Sequence, residues 1–174
     1  YRRYRYFCVQ PGGLGLFKSG KRMIAILDYE AGNQTSVRRA LDFLGIPCKV
    51  TADPVEIEAA RGMIFPGVGA AGQAMNQLRK TGLAKMLKDG VLAGRPLWGI
   101  CLGCQSMLAH SEENDIDTLG LIAGRTRIFD STLTEEDGTP ISIPHMGWNS
   151  LRFKRQSPLF EGVPPEAEFY FVHS

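Results

Sequence analysis

The sequence has 174 residues, 44% of them hydrophobic and 22% charged, which is typical of one globular domain large enough to bury a core. No apolar run reaches the ~18 residues of a membrane span, so we expect no membrane partner. Residues 1–22 hold six Lys or Arg and no acidic residue, so residues 23–174 carry a net charge of −4 and give no reason to expect a nucleic-acid partner.

The basic segment at residues 1–22 has no clean helical or strand period. Its interleaved basic and aromatic residues could contact nucleic acid or a membrane surface. We interpret it instead as a non-family leader, disordered or left from cloning, with the domain spanning residues 23–174. The four cysteines form no evident disulfide framework in a chain of this length, which favours a reducing, cytoplasmic location; they are Cys8, Cys48, Cys101 and Cys104.

From Met23 onward, short apolar runs alternate with stretches of helical period. Strands are predicted over residues 23–27, 47–51, 62–65 and 96–100. Helices are predicted over residues 36–44, 54–60, 71–80, 83–92 and 102–109, with Val37, Leu41 and Leu44 on one face of the first. This alternation predicts an α/β fold with a mostly parallel sheet covered by helices on both faces. The loops after residues 27, 65 and 100 would then gather at the carboxyl edge of the sheet.

The last third of the chain has a different hydrophobic pattern. A polar loop at residues 112–117 is followed by shorter apolar runs between turns such as the one at residues 136–139. Strands are predicted over residues 124–129, 141–143, 150–153 and 169–173. This part is expected to be an added antiparallel portion. The sequence stops on an apolar strand, from which we expect the chain to be truncated.

Cys101 is the strongest candidate for chemistry, because it lies where the apolar run at residues 96–100 changes into a helical pattern. Gly99 and Gly103 flank it, as expected for a nucleophile on a sharp strand-to-helix turn whose following N–H groups point at the group under attack. A helix starting behind it would favour the thiolate.

The pattern G-x-G-x-x-G at Gly67–Gly72 matches a dinucleotide-binding fingerprint. It follows the third predicted strand instead of the first, however, and no acidic residue closes the next strand. A turn whose N–H groups approach a substrate is the better functional interpretation, and a tight turn without chemistry fits this pattern alone equally well.

Cys101 and Cys104 also form a C-x-x-C with Trp98 nearby, so a thiol-disulfide oxidoreductase is a competing hypothesis. The proline that usually stiffens such a turn is absent. On our interpretation, Cys104 lies in the first helical turn and faces the core as a small hydrophobic residue.

A cysteine nucleophile needs a base, and the sequence has three histidines. His110 follows Cys101 by nine residues, ~13 Å of helix, and is interpreted as a solvated helix end. His145 and His173 remain candidates for the base by geometry, although we interpret each first as a structural or interface residue. A zinc site built from these histidines and cysteines has no support in the spacing, and no metal or cofactor is expected.

Several motifs, taken together, resemble the class I (triad) glutamine amidotransferases, and among these the glutaminase subunits of imidazole glycerol phosphate synthase, of histidine biosynthesis. The likeness runs in order from Met23 to Ser174, and the His-Met-Gly-Trp-Asn run is its most specific part. The residues that carry it are Asp28–Asn33 with Ser36 and Val37, Pro66–Ala70, Gly99–Gly103 with Gln105, Ser111–Glu113, Pro144–Asn149 and Tyr170–Ser174.

The resemblance implies a flavodoxin-like, three-layer fold and a glutaminase that forms a heterodimer with a (β/α)8-barrel cyclase. Cys101 would attack the side-chain amide of glutamine, with oxyanion donors at Leu102 and at Val68 or Gly69. Ammonia would pass to the cyclase for formation of imidazole glycerol phosphate and AICAR. The residues implied to bind glutamine are Gly67, Gln105, Glu113, His173 and Ser174. Those implied to face the cyclase are Asn33, His145 and Trp148.

The sequence departs from the family pattern in two respects. Glu30 stands where glycine is expected in the loop after the first strand, and the His-Pro-Glu-type segment of the family would lie after Ser174. None of the three histidines matches that base. We therefore expect no partner-stimulated glutamine hydrolysis by the 174-residue chain above a Cys101→Ala control. A non-catalytic cyclase-binding domain is the third hypothesis.

Overall fold

The computed structural model describes residues 23–134, 137–140, 142–153 and 160–173. These residues divide into two compact units, one over residues 23–126 and one over residues 127–173. The basic segment at residues 1–22, Cys8, Ile141 and Ser174 lie outside the described residues, as does the first residue of the turn predicted at residues 136–139. Among the described residues, no helix combines the length and the apolar character needed to cross a membrane.

A four-stranded parallel sheet forms the centre of the first unit, in the strand order β2-β1-β3-β4. Its strands are β1 (Ile24–Leu27), β2 (Cys48–Thr51), β3 (Gly62–Gly67) and β4 (Leu97–Cys101). Strand β1 pairs with β3 from Ile24↔Gly62 to Ile26↔Ile64, whereas β3 pairs with β4 as far as Gly67↔Cys101. The predicted parallel α/β sheet is confirmed.

Alternate side chains of the sheet enter two separate cores, as the two-residue period of a strand requires. On one face Leu27 and Phe65 pack with residues of α2, α3 and α4. On the other face Ile26 and Ile64 pack with Leu41 of α1. Helices therefore cover both faces of the sheet, which confirms the predicted layering.

Four helices connect the strands, and their starts follow local capping rules. Asn33 accepts a hydrogen bond from the Ser36 N–H at the start of α1 (Gln34–Phe43), and Asp53 does the same for the Val55 N–H at α2 (Pro54–Ala59). Helices α3 (Ala71–Lys80) and α4 (Leu83–Leu92) have the bounds that the periodicity predicts. The prediction for Leu44 is wrong, because this residue follows α1 and its side chain is 64% exposed.

The fifth helix is one turn long, α5 (Leu102–Gln105), so the helix predicted over residues 102–109 is wrong beyond Gln105. The Met107 and Leu108 N–H groups bond three residues back, and the Ala109 N–H donates to the Gly124 carbonyl. These bonds draw the chain into a small sheet in which β5 is central. Its strands are β5 (His110–Ser111), β6 (Ile116–Asp117) and β7 (Arg125–Thr126).

The second unit contains an antiparallel pair, β8 (His145–Ser150) and β9 (Glu168–His173), in the register His145↔His173. The expected antiparallel portion and its last strand are confirmed. The strand predicted over residues 150–153 is wrong, because pairing with the aromatic β9 places the strand at residues 145–150. The strand predicted over residues 124–129 is reduced to β7, and residues 142–143 are not in a strand.

Candidate active site

Cys101 ends β4 and immediately precedes α5, with φ 55° and ψ −121°. A positive φ is unfavourable for a residue with a Cβ and persists only where the surrounding structure enforces it. The residue is exposed and its thiol is free. The predicted strained strand-to-helix turn is therefore present, with a nucleophilic atom at its apex.

Three glycines enforce this turn by allowing backbone to pack directly on backbone. A Cβ on Gly99 would lie 2.6 Å from both N and Cα of Cys104. A Cβ on Gly103 would overlap the Phe65 carbonyl oxygen, and one on Gly67 would overlap the Gly103 nitrogen. Since real Cβ atoms do not approach backbone this closely, any larger residue would push α5 away from β3 and β4.

The loop over residues 66–69 lies beside the nucleophile, because Gly67 is the register partner of Cys101. Gly69 has φ 79°, which a residue with a side chain rarely adopts. At the start of α5, the Leu102 N–H is one of the first helical N–H groups, which have no intrahelical acceptor. The arrangement can therefore direct backbone donors toward a carbonyl group attacked by Cys101.

The family model described as glutamine amidotransferase class-I matches residues 25–174, which include this entire turn and loop. The chain belongs to the class I glutamine amidotransferases. It is 67% identical over 152 residues to imidazole glycerol phosphate synthase subunit HisH of Nitratidesulfovibrio vulgaris (strain DSM 19637 / Miyazaki F), covering 87% of this chain and 72% of that protein. Its identity to the protein of the same name from Desulfovibrio desulfuricans is 57%, covering 87% of this chain and 70% of that protein.

A solved structure described as a crystal structure of glutamine amidotransferase superposes with a TM-score of 0.51 at 23% identity. The match covers 57% of this chain and 52% of the solved chain. At this level of identity the likeness concerns the fold alone. It supports the α/β fold described above.

In this class I amidotransferase, Glu113 and Asn114 reach the start of α3. The Ala71 N–H donates to Glu113 Oε2 over 3.0 Å, and the Gly72 N–H donates to Asn114 Oδ1 over 3.1 Å. These carboxylate and amide groups occupy the helix N–H groups that a pyrophosphate would need. The dinucleotide interpretation of Gly67–Gly72 therefore has no structural support, and Glu113 is placed next to the residue 66–69 loop.

Cys101 immediately precedes α5 and Cys104 lies within it, and both residues are exposed. The prediction that Cys104 faces the core is therefore wrong, because Leu102 and Gly103 occupy the buried side of α5. Neighbouring atoms exclude water from its sulfur and raise the pKa of the Cys104 thiol, and the charge of Cys101 raises it further. A dithiol activity stays a prediction, which a reversible Cys101–Cys104 disulfide in thiol titration would support.

His110 lies in β5, so its assignment to a helix end is wrong. Its two ring nitrogens lie 3.2 Å from Asp115 Oδ1 and 3.1 Å from Asp117 Oδ1. Both nitrogens therefore face carboxylates, those of Asp117 in β6 and of Asp115 just before it. His110 does not have the free ring nitrogen that a general base for Cys101 would need.

Within the second unit, His145 Nδ1 and His173 Nε2 lie 3.0 Å apart across the β8–β9 pair. Both rings line a shallow pocket with Phe129 and Phe171. On the opposite face of the pair, Trp148 is 67% exposed and its ring stacks edge-on with Tyr170. The second unit thus brings His173, expected in glutamine binding, next to His145, expected at the cyclase interface.

Glu30 adopts φ 64°, and its carboxylate accepts a hydrogen bond from Gln77 Nε2 over 2.6 Å. A left-handed backbone is the conformation that glycine adopts most easily. Glu30 therefore adopts a backbone conformation that glycine would accept without strain.

Sequence reasoning missed Tyr29, which is fully buried and donates a hydrogen bond from its hydroxyl to the Pro66 carbonyl over 2.9 Å. Burial raises the pKa of Tyr29 to about 12, and the negative charge of Cys101 contributes in the same direction. The backbone of Val68 acts in the opposite direction and limits this rise in the pKa of Tyr29. The available signal was a tyrosine directly after a buried strand, at the edge of the sheet where the loops meet.

Proposed function

We propose that this chain is the glutaminase subunit of an imidazole glycerol phosphate synthase, which hydrolyses glutamine to glutamate and passes ammonia to a cyclase subunit. The cyclase would use this ammonia to form imidazole glycerol phosphate and AICAR. The observation that carries the proposal is the strained Cys101 turn packed against the residue 66–69 loop. The 67% identity to a HisH subunit supports the choice of this amidotransferase among others.

The geometry supports acyl transfer through a thioester. Cys101 Sγ attacks the side-chain carbonyl carbon of glutamine, forming a C–S bond and an oxyanion. The Leu102 N–H and a second N–H from Val68 or Gly69 would stabilise that oxyanion. Collapse of the intermediate breaks the C–N bond and releases ammonia, whose added proton is the one that the Cys101 thiol lost. Water then hydrolyses the thioester to glutamate and restores the thiol.

Glutamine recognition is proposed for residues of the first unit near this turn, and for two further residues assigned from the family resemblance alone. Glu113 uses one carboxylate oxygen on the Ala71 N–H, so its other oxygen is available for the ammonium group of glutamine. Gly67, as the Cys101 register partner, would border the reacting amide. Gln105, His173 and Ser174 complete the proposed set by family similarity.

A (β/α)8-barrel cyclase is the proposed partner, in a heterodimer, with Asn33, His145 and Trp148 at the interface. The large exposed ring of Trp148 supports this, because exposed aromatic residues are enriched where protein surfaces associate. A role in histidine biosynthesis and the free thiols of the described cysteines are consistent with the proposed cytoplasmic location.

Labelling with a glutamine-analogue electrophile tests the glutaminase. We expect covalent modification at Cys101 that excess L-glutamine suppresses and excess L-asparagine does not, detected by peptide mass spectrometry. Cys101→Ala should lose the label, and Cys48→Ala, which removes another free thiol, should keep it. Equal protection by both amino acids would contradict glutamine recognition.

Association with the cyclase is tested separately by size-exclusion chromatography with a purified barrel subunit. We expect Trp148→Ala to weaken the complex at least tenfold, because exposed tryptophans often dominate interface energetics. Phe43→Ala is the matched control, since Phe43 is a 90% exposed aromatic residue of α1 outside the proposed interface. Equal loss in both variants would contradict the assigned surface.

A further inference from the structure

The carbonyl group of Pro66 lies in the part of β3 that extends beyond its pairing with β1. Pairing between β1 and β3 ends at Ile26↔Ile64, but β3 continues to Gly67 with β4 as its register partner. The last three residues of β3 therefore pair with β4 but have no β1 partner on their other side. A buried carbonyl in this position needs another donor.

Tyr29 supplies that donor. Its hydroxyl donates to the Pro66 oxygen over 2.9 Å, and its ring packs edge-on against Phe65 with centroids 5.3 Å apart. Gly32 closes the other side, since a Cβ there would lie 2.8 Å from the Pro66 oxygen and 3.4 Å from the Tyr29 hydroxyl. The loop after β1 thus encloses the Pro66 carbonyl from two directions.

The next residue along the chain, Gly67, is held from the opposite side. A Cβ on Gly67 would lie 2.8 Å from the Leu102 carbonyl carbon, so its Cα packs directly on the cysteine turn. The peptide between Pro66 and Gly67 is therefore fixed by Tyr29 at one end and by α5 at the other. Val68 and Gly69, which carry the candidate oxyanion donors, follow at once.

We propose that Tyr29 is a positioning residue that sets the residue 66–69 loop against Cys101 through its hydrogen bond to the Pro66 carbonyl. This deepens the proposed glutaminase and rests on it for the identity of the substrate. The high pKa of Tyr29 keeps its hydroxyl protonated, so the donated bond persists across the physiological pH range. Tyr29 does not touch the substrate; it acts through the loop.

The test compares two reactions of the Cys101 thiol in the full 174-residue chain. Acylation by a p-nitrophenyl ester forms a Cys101 Sγ–C bond, breaks the ester C–O bond and releases p-nitrophenolate, while the thiol proton goes to solvent; it passes through an oxyanion. Alkylation by iodoacetamide displaces iodide and forms no oxyanion. Peptide mass spectrometry gives both rates at Cys101 alone.

We expect Tyr29→Phe to slow acylation about tenfold, a fraction of the effect of removing an oxyanion donor outright, and to change alkylation less than twofold. Phenylalanine keeps the ring against Phe65, and circular dichroism checks that the variant folds. Tyr170→Phe removes an exposed phenol from the second unit and should change neither rate. An unchanged acylation rate in Tyr29→Phe, or an equal fall in both reactions, would overturn the proposal.

Two esters separate this proposal from the glutaminase itself. Both the γ-p-nitrophenyl ester of glutamate and p-nitrophenyl acetate should acylate Cys101 more slowly in Tyr29→Phe, because the loop acts on any oxyanion. If the glutamate ester reacts no faster than the acetate with the unsubstituted chain, glutamine recognition fails. The Tyr29 effect is still measured with the acetate.

Discussion

Gly103 packs so closely against the Phe65 carbonyl that a Cβ on Gly103 would overlap the oxygen and lie 2.9 Å from the carbonyl carbon. Both partners are backbone, so neither can move aside without displacing β3 or α5. This contact connects the start of α5 to the strand that carries the residue 66–69 loop.

Gly103→Ala should therefore lower the free energy of unfolding by about 3 kcal/mol or more, or prevent folding, because overpacking against backbone has no flexible atom to absorb it. Urea unfolding measures the effect. Gly90→Ala is the control: its Cβ would meet only the ends of the Arg95 and Met63 side chains, at 3.0 and 3.1 Å. It should be neutral or slightly stabilising because alanine favours the helix. Similar losses in both variants would contradict this account.

Glu30→Gly should raise the free energy of unfolding by roughly 0.5 kcal/mol, because relief of the left-handed strain exceeds the added backbone entropy of glycine. Glu30→Ala should lower it, since alanine keeps φ at 64° and loses the hydrogen bond from Gln77. Thermal melts of both variants give the two signs. Repeating Glu30→Gly in a Gln77→Ala background should enlarge the gain in stability, because no hydrogen bond from Gln77 is then lost. A smaller gain there would contradict a stabilising role for that hydrogen bond.

Ser106→Ala should stabilise the chain by about 1 kcal/mol, because a buried hydroxyl without a partner carries a desolvation cost. Ser106 is fully buried, and its Oγ has no hydrogen-bond partner among the described residues. Thr118→Val provides the opposite case, since the buried Thr118 hydroxyl donates to the Leu108 carbonyl over 2.7 Å. Loss of this hydrogen bond should lower the free energy of unfolding. Chemical denaturation distinguishes the two, and destabilisation by Ser106→Ala would refute the prediction.

Stability at alkaline pH should depend on Tyr29. Its pKa rises from 10.0 to about 12 in the folded chain, so the folded state holds this proton more tightly than the unfolded state. The resulting contribution to the free energy of unfolding, about 2–3 kcal/mol, is complete below pH 10 and disappears as the pH rises through 12.

Urea unfolding between pH 9 and 11.5 measures this dependence. Tyr29→Phe should lose less stability over that range than the unsubstituted chain. Tyr170→Phe, which removes a phenol that is 55% exposed, should follow the unsubstituted chain. Parallel curves for all three proteins would show that Tyr29 does not titrate as described.

The repetition of strands and helices up to Cys101 was predictable, because each element there carries a complete local signal. Helices α3 and α4 show a continuous apolar stripe, and both have the predicted bounds. The Cys101 turn was equally predictable from the sequence, because the flanking glycines and the change of hydrophobic period are local features. Beyond this turn, the strands of the last third were predicted less well, because short strands take their register from partners distant in sequence.

The sequence by itself therefore determined the parallel α/β sheet, the place of Cys101 at its carboxyl edge and the family, because periodicity and contiguous motifs encode these features locally. Only the tertiary structure decided that α5 ends at Gln105, that Glu113 contacts the start of α3 and that Tyr29 holds the Pro66 carbonyl. Each of these depends on a hydrogen bond between residues far apart in the chain, formed to satisfy backbone groups that local structure leaves without a partner.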